Sequence, residues 1–112
     1  MAPPQPISTE PGATFPFEGA DHGSSVSGFG SRTKPGEGPN LHRHPYEETF
    51  ILEEGHATFT VDGETVELVA GQMLIAPARA AHKFVNSGDA PLMMVTIHPA
   101  PRMEQEDLPE SG

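Results

Sequence analysis

Between His56 and Leu68 the chain alternates: Ala57, Phe59 and Val61 hold one parity and His56, Thr58 and Thr60 the other, and after Asp62-Gly63 the pattern resumes with Val66 and Leu68 against Thr65 and Glu67. A period of two puts successive side chains on opposite faces of a strand. Asp-Gly between two such runs supplies the positive φ angles of a tight hairpin turn. Residues 25–33 read as a strand interrupted by glycines, and residues 49–52, 73–75, 83–85 and 92–97 as further short strands, with turns at 78–81 and 86–91. The 12 glycines and 13 prolines are concentrated where strands must turn. No helical periodicity reaches two turns; residues 103–110 form the one weak, acidic helical candidate. Seven or eight short strands with closely spaced turns predict an all-β fold, a β-sandwich or double-sheet barrel.

The 112 residues suffice for one domain. Residues 1–23, Pro-rich and without period, read as a loose arm or edge strand attached through Phe15 and Phe17. Residues 24–101 then form the barrel, and residues 102–112 an acidic tail.

His42-Arg-His44-Pro-Tyr-Glu47-Glu48 carries the chemistry. His42 and His44, two apart, share one strand face, and Pro45 redirects the chain so that Glu48 closes on the same point. A slip of one position at Pro45 would offer Glu47 instead. The loop at residues 34–40 delivers His42, and His82, at the end of the 78–81 connection, supplies a further ligand. Three imidazoles and a carboxylate suit one divalent transition metal (iron, manganese, nickel, cobalt or zinc) and suit calcium or magnesium poorly. An octahedral ion would keep two positions open for substrate, or for substrate and dioxygen, whereas zinc would be closed by four protein ligands.

Two spacings match a known family. Gly36, five residues, His42-x-His44, three residues, Glu48, six residues, Gly55 resembles the first cupin motif; Gly71, five residues, Pro77, then His82, three residues, Asn86 resembles the second. The short distance between them is that of small single-domain cupins, and the resemblance covers residues 36–86. It departs at Arg79, where such cupins commonly carry glycine, so the turn there either differs in shape or is modestly strained. The resemblance implies a jelly-roll (double-stranded β-helix) barrel with the metal inside, and a homodimer.

Phe50, Leu52, Met73, Ile75, Phe84 and Met94 are candidates to line the cavity or to pack the core. Arg79 is a loop cation or a clamp for an anionic substrate group. His98 reads first as a surface or capping residue at the end of the last strand, with a general base at the barrel mouth as the alternative. His22 and His56 read as solvated, and Asn86 as orienting His82 or starting the next turn.

Zero cysteine removes disulfides and thiolate chemistry. A formal net charge of −10 with six scattered lysines and arginines argues against a nucleic-acid partner. No apolar run approaches membrane-spanning length and the first residues lack a secretion signal, so a cytoplasmic protein without membrane partners is expected. The function expected is that of a mononuclear metal-dependent enzyme acting on a small oxygenated or enolisable substrate, with a dioxygenase or related oxidoreductase foremost. The alternatives are a lyase, isomerase or cyclase, a non-catalytic metabolite binder, or a closed structural metal site.

Overall fold

The computed structural model describes residues 3–110; the first two residues of the expected arm and the last two of the expected tail lie outside them. Ten strands follow in order: β1 (Phe15–Phe17), β2 (Ser27–Thr33), β3 (His42–Arg43), β4 (Glu48–Glu54), β5 (His56–Val61), β6 (Glu64–Val69), β7 (Met73–Ala76), β8 (His82–Asn86), β9 (Leu92–His98) and β10 (Glu106–Asp107). One 3-10 turn at Gly19–Asp21 is the sole helical element among the described residues. Antiparallel pairing builds two five-stranded sheets, β1-β2-β9-β4-β7 and β10-β3-β8-β5-β6. The all-β double-sheet expectation holds, with more strands than the sequence suggested because β1, β3 and β10 are only two or three residues long.

The hairpin forms as read. Val61 pairs with Glu64, leaving Asp62 (φ 48°) and Gly63 (φ 82°) as a two-residue turn with both φ angles positive. The turn also grips the second motif: Asp62 N–H donates to the Ala81 carbonyl at 2.8 Å, and Ala81 N–H donates to Asp62 Oδ1 at 2.9 Å. At the other edge Phe15–Phe17 pairs with β2, where the Phe15 ring fills the space a side chain at Gly30 would need.

Inward-facing residues divide the interior into two ends. Phe50, Leu52, Ala57, Phe59, Leu68, Ala76, Leu92 and Met94 form an apolar core, each large side chain contributing about 1.5–3 kcal/mol by leaving water. Phe50 from one sheet meets Phe59 from the other edge-on, ring centroids 4.9 Å apart. Past Phe50 the interior turns polar, and there the same parities carry Glu48 on β4, His82 on β8 and Thr96 and His98 on β9.

Two expectations need correction. Met73 and Ile75 do not line the cavity; they are 57% and 55% exposed. In the β4–β7 register Glu48 and Phe50, which face inward, pair with Ala76 and Leu74, so Met73 and Ile75, of the opposite parity, face out. The tail at 103–110 is not helical: Glu106 and Asp107 pair with Arg43 and His42. An acidic run gains more from this pairing, where Arg43 bonds Glu106 and Lys83 bonds Glu110, than from a helix too short to propagate.

Arg79 has φ 66°, so the turn keeps the shape a glycine would give it and the residue bears the strain, about 1–2 kcal/mol for a side chain in that region. Arg79→Gly is expected to raise stability by roughly 0.5–1 kcal/mol, part of the relief being lost to the greater freedom of the unfolded chain. Urea unfolding checks it; a lower midpoint would show that the Arg79 side chain contributes more than its backbone costs.

Candidate metal centre

The polar end gathers His42, His44, Glu48 and His82, one ligand atom of each lying within 4.8 Å of all the others. All four are at least nine-tenths buried. Register explains the convergence: His42 and His82 are direct partners across β3 and β8, their rings 4.5 Å apart. His44 lies two residues on from His42 with the same orientation, and Glu48 opens β4. Glu47, with the opposite parity, is exposed, so Pro45 causes no slip.

The backbone sets the three imidazoles. Each Nδ1 faces a carbonyl: Asn40 O at 2.6 Å for His42, Glu104 O at 2.7 Å for His44 and Ala80 O at 2.9 Å for His82. A carbonyl only accepts, so every Nδ1 carries the hydrogen and every neutral ring turns its Nε2 lone pair inward. Glu48 Oε1 stands 3.0 Å from His44 Nε2 and 3.1 Å from His82 Nε2. Lone pairs facing a carboxylate oxygen at this range repel unless a cation lies among them, and His44 Nε2 has no aligned hydrogen-bond partner. The residues therefore fit a cation ligated through Nε2 and carboxylate oxygen.

Without metal, protons take that role. Burial alone would raise the Glu48 pKa, but His44, His82 and His98 outweigh it and hold the carboxyl well below its ordinary 4.5. His44 is raised above 6.5: burial opposes the shift, and Glu48 and the Glu104 carbonyl overcome it. His42 is lowered, chiefly by burial. A depressed carboxyl contributes stability present above its unfolded pKa and lost as pH falls through its folded one. The metal-free protein is therefore expected to lose stability below about pH 4.5, and Glu48→Gln to flatten that acid limb in thermal melts. An unchanged limb would place the acid sensitivity elsewhere.

The other Glu48 oxygen, Oε2, is 3.0 Å from His98 Nε2. His98 is neither surface nor cap but 1% exposed, and its Nδ1 is 2.8 Å from the hydroxyl of Tyr46, a residue the sequence did not single out. Tyr46 also stacks on His44, the planes 2° apart. The signal for His98 was parity: Leu92, Met94, Thr96 and His98 share a face, so an inward Met94 implies an inward His98. Glu104 left no signal, because it acts through its backbone.

His42, His44, Glu48 and His98 line one end of a cavity of about 530 Å³ walled by Phe29, Phe50 and Phe84, with Thr96 on its wall and Arg32 and Gln105 also lining it. Thr96 Oγ1 is buried without a partner. Arg79 borders a separate surface hollow with Arg43 and Glu106. Asn86 turns away from His82, donating to Thr33 O and Ala90 O and accepting from Gly88 N–H. His56 meets Ser87 and Glu67 at the surface, and His22 is exposed.

A family model described as a cupin domain matches residues 31–98. The chain is 42% identical over 76 residues to a polyketide synthase, CurC, of Streptomyces cyaneus, covering 67% of this chain and 49% of that protein. It is 38% identical over 77 residues to protein SchB of Streptomyces halstedii, covering 67% and 54%. The chain thus spans about half the length of these relatives. Among solved structures, Lactobacillus farciminis oxalate decarboxylase in a formate complex superposes with a TM-score of 0.78 at 26% identity, over 93% of this chain and 33% of that one. An oxalate oxidase bound to the substrate analogue glycolate shares the fold at 18% identity and a TM-score of 0.75, over 89% and 57%.

Proposed function

This chain belongs to the cupin family, and from that premise we propose that it is a metal-dependent enzyme whose His42, His44, Glu48 and His82 hold one divalent transition ion (iron, manganese, nickel, cobalt or zinc) and whose cavity receives a small oxygenated or enolisable molecule. The observation that carries this reading is the arrangement of three imidazoles, each fixed at Nδ1 by a backbone carbonyl, with one ligand atom of each gathered with Glu48 within 4.8 Å and the Nε2 atoms of His44 and His82 facing one carboxylate oxygen. When bound, the ion supplies Lewis acidity and, if it is iron or manganese, redox chemistry. The chain's part is to hold that set, to bind the apolar part of that molecule against Phe29, Phe50 and Phe84, and to exclude bulk water from its oxygens.

Oxidation of the substrate, as by a dioxygenase, is the reaction class we assign. A second, non-oxidative reading, a lyase, isomerase or cyclase acting on an enolisable substrate, is favoured by the structural likeness to a decarboxylase. Turnover of enols, phenols and β-diketones by protein loaded with each metal separates them: oxygen consumption supports the first, oxygen-independent turnover the second. Inactivity with every metal would leave a binding protein.

We place the enzyme in solution as a homodimer. Among the described residues no helix is long and apolar enough to cross a membrane. On the outer face of the first sheet Ile51 and Thr49 pair with Met73 and Ile75, and Ile97 lies beside Thr49; this patch on an edge strand is what a second copy would cover. Light scattering at micromolar concentration is expected to give twice the mass of one chain, reduced to one by Ile75→Glu; a monomeric wild-type protein would refute the assembly.

A further inference from the structure

His98 differs from the three imidazoles beside it, and the difference lies at Nδ1. Each of the others faces a carbonyl at Nδ1, whereas His98 faces the Tyr46 hydroxyl at 2.8 Å, a group able to donate or to accept. The partners of that hydroxyl settle its direction. Glu104 N–H already donates to the Tyr46 oxygen at 3.1 Å, which leaves the hydroxyl hydrogen two acceptors. One is His98 Nδ1 at 2.8 Å; the other is Glu104 O at 3.5 Å, already taken by His44 Nδ1–H at 2.7 Å. The much shorter contact decides, so His98 accepts at Nδ1 and carries its hydrogen on Nε2, the atom 3.0 Å from Glu48 Oε2, a close contact that, like that of His44 Nε2, is not aligned as a hydrogen bond.

We propose that His98, its tautomer set by Tyr46, is a positioning residue that holds its Nε2–H against Glu48 Oε2, turning onto it to donate once a metal draws on Oε1, and so leaves Glu48 that single oxygen for the metal. The inference rests on the four-ligand reading above. It gives the site three imidazoles that present lone pairs and one that presents an N–H, so His98 is not a fifth ligand. Carboxylates that bind metals are commonly fixed in this way by a neighbouring donor, and removing such a donor costs about 10–100-fold in metal affinity. The Glu104 peptide coordinates the arrangement: its C=O sets His44 and its N–H sets Tyr46.

The test has a part that needs no metal. In metal-free protein labelled with ¹⁵N-histidine, long-range ¹H–¹⁵N correlations at alkaline pH, where the imidazoles are neutral, are expected to show Nδ1–H at His42, His44 and His82 and Nε2–H at His98. Tyr46→Phe, which keeps the stacked ring and removes the hydroxyl, is expected to release His98 into a mixture of tautomers. An Nδ1–H form at His98 in the wild-type protein overturns the proposal.

Cobalt(II) titration followed by visible absorption is the second part. His98→Leu is expected to weaken cobalt binding about 10–100-fold and to shift the band positions, while His98→Gln, which restores an N–H donor, keeps both near wild type. Wild-type affinity and spectrum in His98→Leu overturn the proposal too. Wild-type protein that takes up no cobalt overturns the metal reading instead, and the tautomer pattern then judges His98 by itself.

Discussion

His82→Ala is expected to purify with less than a tenth of the metal that the wild-type protein retains, and to lose about 100-fold or more in affinity when titrated with cobalt, a larger loss than an outer hydrogen-bond partner causes. The side chain sits at the junction of the site. Its Nδ1 is fixed by Ala80 O, its Nε2 is 3.1 Å from Glu48 Oε1, and its strand pairs with that of His42. Alanine there removes one donor of four and leaves a hole beside Phe50, whose ring approaches His82 edge-on at 5.7 Å. His56→Ala is the control, since His56 lies at the surface against Glu67 and Ser87 and its loss should leave metal content unchanged. Elemental analysis of the dialysed proteins decides the matter. Full metal in His82→Ala would mean that another group of residues holds the ion.

Phe59→Ala is expected to cost about 3–5 kcal/mol, a large part of the roughly 5–15 kcal/mol that holds a domain together. Phe59 is fully buried and meets Phe50 at 4.9 Å across the sheets and Phe84 at 5.3 Å within its own. Few side chains are placed to fill the void, because their neighbours are fixed by strand register. The loss should also reach the metal centre, since Phe50 packs on Phe59 on one side and on His82 on the other. Met73→Ala, by contrast, should cost a monomer less than about 0.5 kcal/mol. Chemical unfolding of both variants tests the contrast; equal losses would mean that the apolar end is not the core.

Parity and spacing made much of this legible. The hairpin followed from alternation and Asp62-Gly63, and the gathering of His42, His44, Glu48 and His82 from two motifs whose spacing the register preserves. Parity was misread at Met73 and Ile75 because a four-residue apolar run does not tell its inner face from its outer one; pairing with Glu48 and Phe50 decides that. His98 was undervalued because chain position suggested the rim, whereas the shared face with Met94 takes it inside. Tyr46 and the Glu104 peptide could not have been found, since their importance depends on a contact between residues about 60 positions apart that only the fold creates. The extended tail escaped because its partner is a two-residue strand.

That tail carries one more consequence. β10 closes the edge of the sheet that bears His42, and beyond a two-residue ladder and the hydrogen bonds of Leu41 with Leu108 and Glu110 it is fastened at the surface, by Arg43 with Glu106 and Lys83 with Glu110. Exposed pairs of this kind each contribute no more than about 1 kcal/mol and weaken as salt rises. The edge is therefore expected to open at lower free energy than the barrel behind it. An opening that reaches Glu104 would withdraw its carbonyl from His44 and its N–H from Tyr46 at once. The barrel thus determines what the site is made of, while the tail determines how long it stays assembled, and ionic strength acts on that lifetime without touching a single ligand.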